Sequence, residues 1–258
     1  MAPRSLWNGT ISFGAVHVPI KLYSAVESKS VSFTEVHLDD GAKVEHRRFC
    51  TKEDKEVPYE EVIRGFETSS GSYVVLEKEE ADAAAGDRSR ILEVEHFVPA
   101  ADIDPVFFDK AYYVGPRDDS AAAYKLLAAA LQVTGRAAIG RFTLRNREYL
   151  VAIRPYEDVL VVHTLRFADE IGGAEAPDTP KGVRKPAEKE IKMAERLVET
   201  LHERFKPERY EDTYREAILD VVRRKAKGDP IEMAEDEEPS GGGDDLAAAL
   251  EASLAGGR

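Results

Sequence analysis

The amino-acid sequence predicts a β-rich fold with α elements, in which a large strand domain precedes a helical arm and a polar tail. Apolar and polar residues alternate with period two from Ile11 to about Phe167, which is typical of half-buried strands. Gly, Pro and acidic residues then predominate between Ala168 and Lys185, and helical apolar spacing follows. We therefore expect a strand domain over 1–170, a linker over 171–185, a helical arm over 186–227 and a tail over 228–258.

The strand domain begins with a clear alternation, in which Val16, Val18, Ile20 and Leu22 are the apolar positions. Pro19 within this run predicts an edge strand or a bulge, because proline cannot donate to a ladder. One helix is predicted inside the domain, from Asp119 to Thr134, with an alanine- and leucine-rich body and Gly135 as its stop.

The helical arm has apolar residues at heptad-like spacing after Pro186, and a second helix is predicted after Pro207. Two amphipathic helices with little between them need a partner surface. That surface is either the strand domain of the same chain or, equally, a second copy.

The tail contains a short apolar stripe, formed by Leu246, Leu250 and Leu254 at four-residue spacing after the capping residues Asp244 and Asp245. An isolated helix of this length is marginal in water, so it is expected to form mainly on a partner. The alternative is a frayed tail without a partner.

The charge is unevenly distributed along the 258 residues. The formal net charge of -13 argues against nucleic-acid binding if the chain is treated as one uniform body. However, residues 233–258 hold seven acids and one base, about -6, whereas residues 136–154 hold five arginines and one acid, about +4. No apolar run approaches the roughly 18 residues of a membrane helix and no secretory segment is seen, so we expect a cytoplasmic protein.

The sequence offers no pattern for catalysis, metal binding or a cofactor. Phosphate loops, dinucleotide fingerprints, nucleophile elbows and zinc-protease motifs are missing, the six histidines are scattered singly, and Cys50 is the single cysteine. Asp102 and Asp104 resemble a carboxylate pair, but an Asp before Pro105 is first of all a turn former. We therefore predict that the chain is not an enzyme. The enzymatic alternative is a nuclease that acts on DNA ends, and it requires clustered carboxylates for metal ions.

The segment GRFTLRNREYLVAIRP predicts a basic hairpin. Phe142 and Leu144 fall on one face and Arg141, Thr143 and Arg145 on the other, with Asn146 and Arg147 at the tip. A free guanidinium face suits contact with phosphates, although a solvated surface fits the spacing equally well. The same two alternatives apply to a second basic group, which consists of Lys43, Arg47 and Arg48, and to the lone Arg64.

Several motifs in order carry a family resemblance. RSLWNGTISFGAVHVPIKLYSA opens the chain, followed by EVPYEEVIRGFETSSGSYVVLEKEE, FDKAYYVGP, GRFTLRNREYLVAIRP and LRFADEI. With these motifs the chain resembles bacterial Ku, the homodimeric DNA-end-binding protein of nonhomologous end joining, from about Arg4 to Lys227 and again at DDLAAALEASL.

The resemblance implies a β-barrel core, a bridge that arches over DNA, and two copies that form a ring with helical arms around the partner subunit. It implies double-stranded DNA ends as the ligand, no cofactor, and no zinc, since the chain has Cys50 alone where some relatives carry a CxxC pair. The candidate DNA contacts in bridge or channel-facing segments are Arg47, Arg48, Arg64, Arg141, Arg145 and Arg147.

The family also uses its carboxyl-terminal region to recruit a multifunctional ATP-dependent DNA ligase. The resemblance therefore assigns partner binding to Leu246, Leu250 and Leu254. It also implies a cytoplasmic, nucleoid-associated protein. The sequence ends in AGGR without a long lysine-rich extension, so functions attributed to such tails are not expected here. The alternative function is an acidic protein-interaction module without direct DNA binding.

Overall fold

The computed structural model describes residues 4–77, 79–80, 90–117, 120–172, 185 and 187–230. Eleven strands and three α-helices lie in this part of the chain. The chain divides into two compact units, which are treated separately below. The first comprises Met1–Ser28 and Thr34–Ala174, and the second comprises Lys29–Phe33 and Glu175–Arg258.

Seven strands of the first unit close into a barrel, which confirms the β-rich fold and the barrel core. Around the barrel the order is β1, β2, β8, β11, β10, β9 and β7, and every neighbouring pair is antiparallel except β1 with β7. The seven strands are β1 (Trp7–Phe13), β2 (Val16–Ser24), β7 (Ile91–Pro99), β8 (Phe108–Pro116), β9 (Arg136–Leu144), β10 (Arg147–Tyr156) and β11 (Val159–Leu165).

The barrel interior is filled by the apolar residues of the alternating runs. Val18, Ile20 and Leu22 point inward from β2 and are buried, as the period-two pattern predicts, whereas Val16 at the start of the strand is exposed. Pro19 does not mark an edge, because β2 pairs with β1 on one side and β8 on the other without a bulge. The ladder between β2 and β8 ends at the pair Ile20 and Pro116. Pro19 lies beyond it, so its missing N–H does not interrupt that ladder.

Helix α1 (Ala121–Thr134) covers one end of the barrel, here called the capped end. Leu127 and Leu131 pack into the core, and the Tyr124 hydroxyl donates to the Val114 carbonyl oxygen and accepts from the Leu160 N–H, both at 2.7 Å. The helix ends at Gly135, which has a φ of 61° and so takes the left-handed conformation that glycine tolerates. The predicted helix is confirmed from Ala121 to its stop, and Asp119 lies outside the described residues.

The opposite end of the barrel, here called the hairpin end, contains the turn between β9 and β10. Strand β1 begins and strand β2 finishes at this same end, because Trp7 at the start of β1 pairs with Leu22 near the end of β2. The Trp7 Nε1 donates to the Thr143 carbonyl oxygen at 3.2 Å. The chain leaves β2 at this end through Ser24.

Residues 34–77, here called the insertion, lie between β2 and β7 in sequence and form two small hairpins. These consist of β3 (Phe49–Cys50) with β4 (Lys55–Glu56), and β5 (Arg64–Glu67) with β6 (Tyr73–Leu76). Every residue of β5 and β6 is exposed, including Phe66 and Tyr73. The insertion therefore has no buried core of its own.

The second unit contains α2 (Glu188–Thr200) and α3 (Thr213–Lys227), in agreement with two helices in the arm. The second helix begins later than predicted, because Asp212 accepts a hydrogen bond from the Arg215 N–H and caps it, whereas Tyr210 stacks on Phe205 at 5.7 Å outside the helix. About half of the apolar side chains of the two helices are exposed, among them Ile191, Val198, Tyr214 and Val222. None of the described helices is long and apolar enough to cross a membrane.

Candidate nucleic-acid interface

The β9–β10 hairpin carries three of the six candidate arginines at the hairpin end of the barrel. Leu144 pairs with Arg147, so the connecting residues are Arg145 and Asn146, with φ of 52° and 66°. Two central residues with positive φ are what a tight two-residue turn of type I′ requires. The predicted tip of Asn146 and Arg147 is therefore wrong by one residue, because strand pairing makes Arg147 the first residue of β10.

The underside of the hairpin is anchored by aromatic packing. Phe142 is buried, and Leu144 and Tyr149 pack against the barrel core. The Trp7 ring meets the Phe142 ring edge to face at 5.2 Å, a preferred geometry for aromatic pairs. The predicted apolar face of Phe142 and Leu144 is confirmed, and the turn directly follows it in the chain.

Arg141 is engaged by two carboxylates. Its Nε donates to Glu95 Oε1 at 2.9 Å and its Nη1 donates to Glu148 Oε1 at 3.0 Å, which ties β7, β9 and β10 together. The hydrogen bond with Glu148, and then the interactions with Glu95, raise the pKa of Arg141 above its ordinary value. The triad carries a net charge of -1, so Arg141 is the least available of the hairpin arginines for a phosphate.

Arg145 and Arg147 are exposed at the turn and at the start of β10. The Arg147 guanidinium lies over the Tyr149 ring at 5.3 Å from its centre, and its Nη2 is 3.6 Å from Glu170 Oε1. Burial, the largest influence, raises the pKa of Tyr112 above its ordinary value, and the charge of the nearby Arg145 opposes part of that rise. Both guanidinium groups present donors to solvent from a tight turn.

The three insertion arginines have separate surroundings. Arg47 Nη1 donates to Glu56 Oε2 at 3.1 Å, and the Arg48 guanidinium lies over the Tyr59 ring at 4.9 Å. Arg64 faces Leu76 across the β5–β6 pair and has no ion-pair partner within the described part of the chain. No recorded contact in that part joins the insertion arginines to the hairpin arginines, so the six candidates form two groups.

The basic stretch 136–154 does not form one patch. Arg136 begins β9 at the capped end, and Arg154 Nε donates to His163 Nε2 at 3.1 Å part-way along β10. Burial, and then the nearby Arg154 charge, lower the pKa of His163 to about 4, so that the imidazole is neutral near pH 7. Strand geometry therefore disperses the charge that is concentrated in the sequence.

Three residues near the hairpin were missed by sequence reasoning. Arg166 directly follows β11 and pairs with Asp109 at 3.4 Å, while Tyr149 and Glu170 flank Arg147. The LRFADEI motif contains two of the three, Arg166 and Glu170, and a base immediately after the last barrel strand was a usable signal.

Of the two carboxylates considered for catalysis, Asp104 serves local structure. Asp104 Oδ1 accepts from the Val106 N–H at 2.9 Å and caps the short turn Pro105–Phe107, which confirms its role as a turn former. Over the described ranges, no group of three or more His, Cys, Asp or Glu side chains is placed to hold a metal ion. The partner-binding candidates Leu246, Leu250 and Leu254 lie outside the described residues.

Comparison with known proteins agrees with the barrel. The family model described as the Ku70/Ku80 beta-barrel domain matches residues 12–193. Three relatives, each named non-homologous end joining protein Ku, match nearly the whole chain. The protein of Anaeromyxobacter sp. (strain K) is 43% identical over 99% of this chain and 86% of its own length. That of Mycobacterium tuberculosis (strain ATCC 25618 / H37Rv) is 38% identical over 97% and 94%, and that of Bacillus subtilis (strain 168) is 35% identical over 97% and 81%. A closed seven-stranded barrel and near-full-length agreement with these relatives show that the chain belongs to the Ku family.

Proposed function

We propose that this protein binds double-stranded DNA ends without sequence preference, as a ring-shaped homodimer, and recruits an ATP-dependent DNA ligase to repair double-strand breaks by nonhomologous end joining. It acts by binding and not by catalysis. The observation that carries the proposal is the pair of exposed arginines, Arg145 and Arg147, at a tight turn at the hairpin end of the barrel. The names of the relatives support the repair pathway.

Indifference to base sequence follows from the chemistry of these side chains. A guanidinium offers forked donors that match phosphate oxygens, and phosphate contacts fix the position of a protein on DNA without reading bases. Arg48 over Tyr59 and the exposed Arg64 extend the same chemistry to the insertion. The duplex therefore meets donors to its backbone.

The homodimer is supported by apolar surface that the chain leaves uncovered. In the insertion, Leu38, Phe66 and Tyr73 are exposed, and in the second unit Val198 and Tyr214 are exposed. Large exposed apolar groups mark surfaces that bind another protein. A second copy supplies matching surfaces for both regions, and two insertions then close a ring around the duplex.

A ring makes a topological prediction. Linear duplex should bind strongly, whereas covalently closed circular duplex of the same sequence should bind poorly, because a ring loads from an end. The measurement is a gel shift with both substrates at equal mass of DNA. Equal affinity for the two forms would contradict the ring. A steep loss of affinity between about 50 and 200 mM salt is expected as well, since each phosphate contact releases roughly 0.9 counterions.

An acidic protein-interaction module without direct DNA binding is the second candidate function. The net charge of -13 and the pairing of Arg47 and Arg141 with glutamates favour it. The same gel shift separates the two functions, because this module would bind neither linear nor circular DNA.

Ligase recruitment is assigned to the tail on the basis of the sequence. Leu246, Leu250 and Leu254 form an apolar stripe beyond the spacer PSGGG, which suits a helix that docks into a groove. A chain cut after Gly243 should keep dimerisation and end binding but lose stimulation of the ligase. The assay is end joining by purified ligase beside a gel shift on the same DNA. Undiminished stimulation would move the recruiting surface elsewhere. We propose that it acts on broken DNA in the cytoplasm, at the nucleoid.

A further inference from the structure

We infer that Glu170 competes with DNA phosphate for the guanidinium of Arg147, so that this glutamate limits the affinity of the protein for DNA. The inference rests on the proposed function, since it concerns the same hairpin surface. It adds a residue that the candidate DNA contacts did not include. Its basis is the geometry of three side chains at the hairpin end of the barrel.

The Glu170 carboxylate is held in place by its own backbone. Glu170 ends the short turn Ala168–Glu170, which follows closely on β11, and its Oε2 accepts from the Phe167 N–H at 2.8 Å. The other oxygen, Oε1, is then the one that lies 3.6 Å from Arg147 Nη2. One oxygen fixes the carboxylate and the other faces the arginine.

The Arg147 guanidinium is limited on its second side by the Tyr149 ring. That ring lies 5.3 Å from the guanidinium carbon and is itself packed against Phe142 at 6.1 Å. Arg147 is therefore positioned between a fixed ring and a fixed carboxylate, while 63% of its side chain remains exposed. A phosphate has free access to the same group.

The contact between Glu170 and Arg147 is of a kind that a phosphate replaces easily. At 3.6 Å it exceeds ordinary hydrogen-bond length, and both side chains are exposed to solvent, that of Arg147 to 63% and that of Glu170 to 44%. A phosphate makes a shorter, forked contact with a guanidinium. Displacement leaves the carboxylate without its cation and close to the negatively charged backbone, which opposes binding.

The test is the substitution Glu170→Gln in the full chain. The glutamine side-chain oxygen still accepts from the Phe167 N–H, but the charge that attracts Arg147 is gone. We expect the Kd for a linear duplex to fall by about 1.5- to 5-fold, the range of an exposed ion pair. The slope of log affinity against log salt should steepen by up to about 1, because no carboxylate takes up a cation when Arg147 turns to DNA.

Asp169→Asn is the matched control. Asp169 lies in the same turn and loses the same charge, but it has no ion-pair partner among the described residues. A double-mutant cycle with Arg147→Gln completes the test. We expect a smaller change from Asp169→Asn, and no gain from Glu170→Gln when Arg147 is already replaced. Circular dichroism and thermal melts of each variant check that the fold is retained.

Three results would overturn the inference. These are no gain in affinity from Glu170→Gln, an equal gain from Asp169→Asn, or an undiminished gain in the Arg147→Gln background, which would indicate a general effect of charge. Failure of the proposed function is distinct, because the parent protein would then not prefer linear duplex at all. Should Glu170→Gln melt early, the double-mutant cycle with Arg147→Gln still isolates the coupling between the two side chains, because a loss of fold stability affects both backgrounds alike.

Discussion

The barrel and the insertion contain strands of similar composition that differ in their exposure to solvent. Strand β11, with the sequence VLVVHTL, is largely buried in the barrel wall, whereas every residue of β6, YVVL, is exposed in the insertion. The barrel closes on itself, and α1 covers one end of it. The insertion has only two-stranded hairpins, which cannot cover a face. Apolar character predicts a strand, but not which molecule covers it.

Equal truncations in the two regions test this difference in burial most directly. Leu160→Ala removes a fully buried side chain of β11 and should lower the free energy of unfolding by about 2–5 kcal/mol. Leu38→Ala removes a side chain that is 95% exposed in the insertion and should change it by less than about 0.5 kcal/mol in the dissociated chain. Urea unfolding at low and high protein concentration measures both.

Concentration dependence provides the control for this pair. If a second copy covers the insertion, Leu38→Ala should weaken association while leaving the unfolding of the dilute chain unchanged. A loss from Leu38→Ala that equals the loss from Leu160→Ala at every concentration would show instead that the insertion packs within its own chain.

A second test sharpens the distinction between free and engaged arginines. The double substitution Arg145→Gln with Arg147→Gln should reduce the slope of log affinity against log salt by about 2, because two phosphate contacts are lost. Arg141→Gln, the matched control, should leave that slope unchanged and lower the melting temperature, because it breaks the contacts with Glu95 and Glu148. Gel shifts over a salt series and thermal melts measure the two effects.

The opposite outcome is equally informative. A double variant that keeps the full salt dependence would return Arg145 and Arg147 to the solvated-surface alternative, and an Arg141→Gln variant with a reduced slope would place a phosphate at the triad. Because Phe142 and Leu144 are untouched in both variants, the barrel itself should remain folded.

The smallest expected effect concerns pH and a site inside the barrel wall. The pKa of His163 is about 4 in the folded protein against 6.5 as its ordinary value. Between these values the unfolded chain binds a proton that the folded chain does not, so stability falls as the pH falls from about 6.5 towards 4. The loss should be on the order of 1 kcal/mol, allowing for partial exposure.

The measurement is the difference in unfolding free energy between pH 7 and pH 5 for the parent and for His163→Gln. Glutamine can still accept from Arg154 but does not titrate, so its difference should be smaller. An identical pH dependence in both proteins would show that His163 is not the responsible group.

The sequence predicted the elements whose cause is local. Alternation in β2 and the left-handed stop at Gly135 depend on neighbouring residues alone, and both are confirmed. The hairpin tip was wrong by one residue because strand pairing, which puts Leu144 opposite Arg147, decides which residues turn. A pattern of alternation does not contain that register.

The candidate site was harder to predict because its contacts span the chain. Arg141 is separated from Glu95 by 46 positions, and Arg147 meets Glu170 only because β11 returns to the hairpin end. These partners decide which arginines are free, and their pairing depends on the closed barrel. The sequence could therefore name the basic residues but not rank them.

The open edges of the two small hairpins have a consequence for handling the protein. A closed barrel offers no strand edge, but β3–β4 and β5–β6 each present outer edges that no described strand pairs with. Unpaired edges with apolar side chains are templates for adding strands from other molecules. In newly synthesised chains these edges can pair either in the correct assembly or in aggregates. Slow dilution or a stabilising additive during purification should therefore raise the yield of non-aggregated protein.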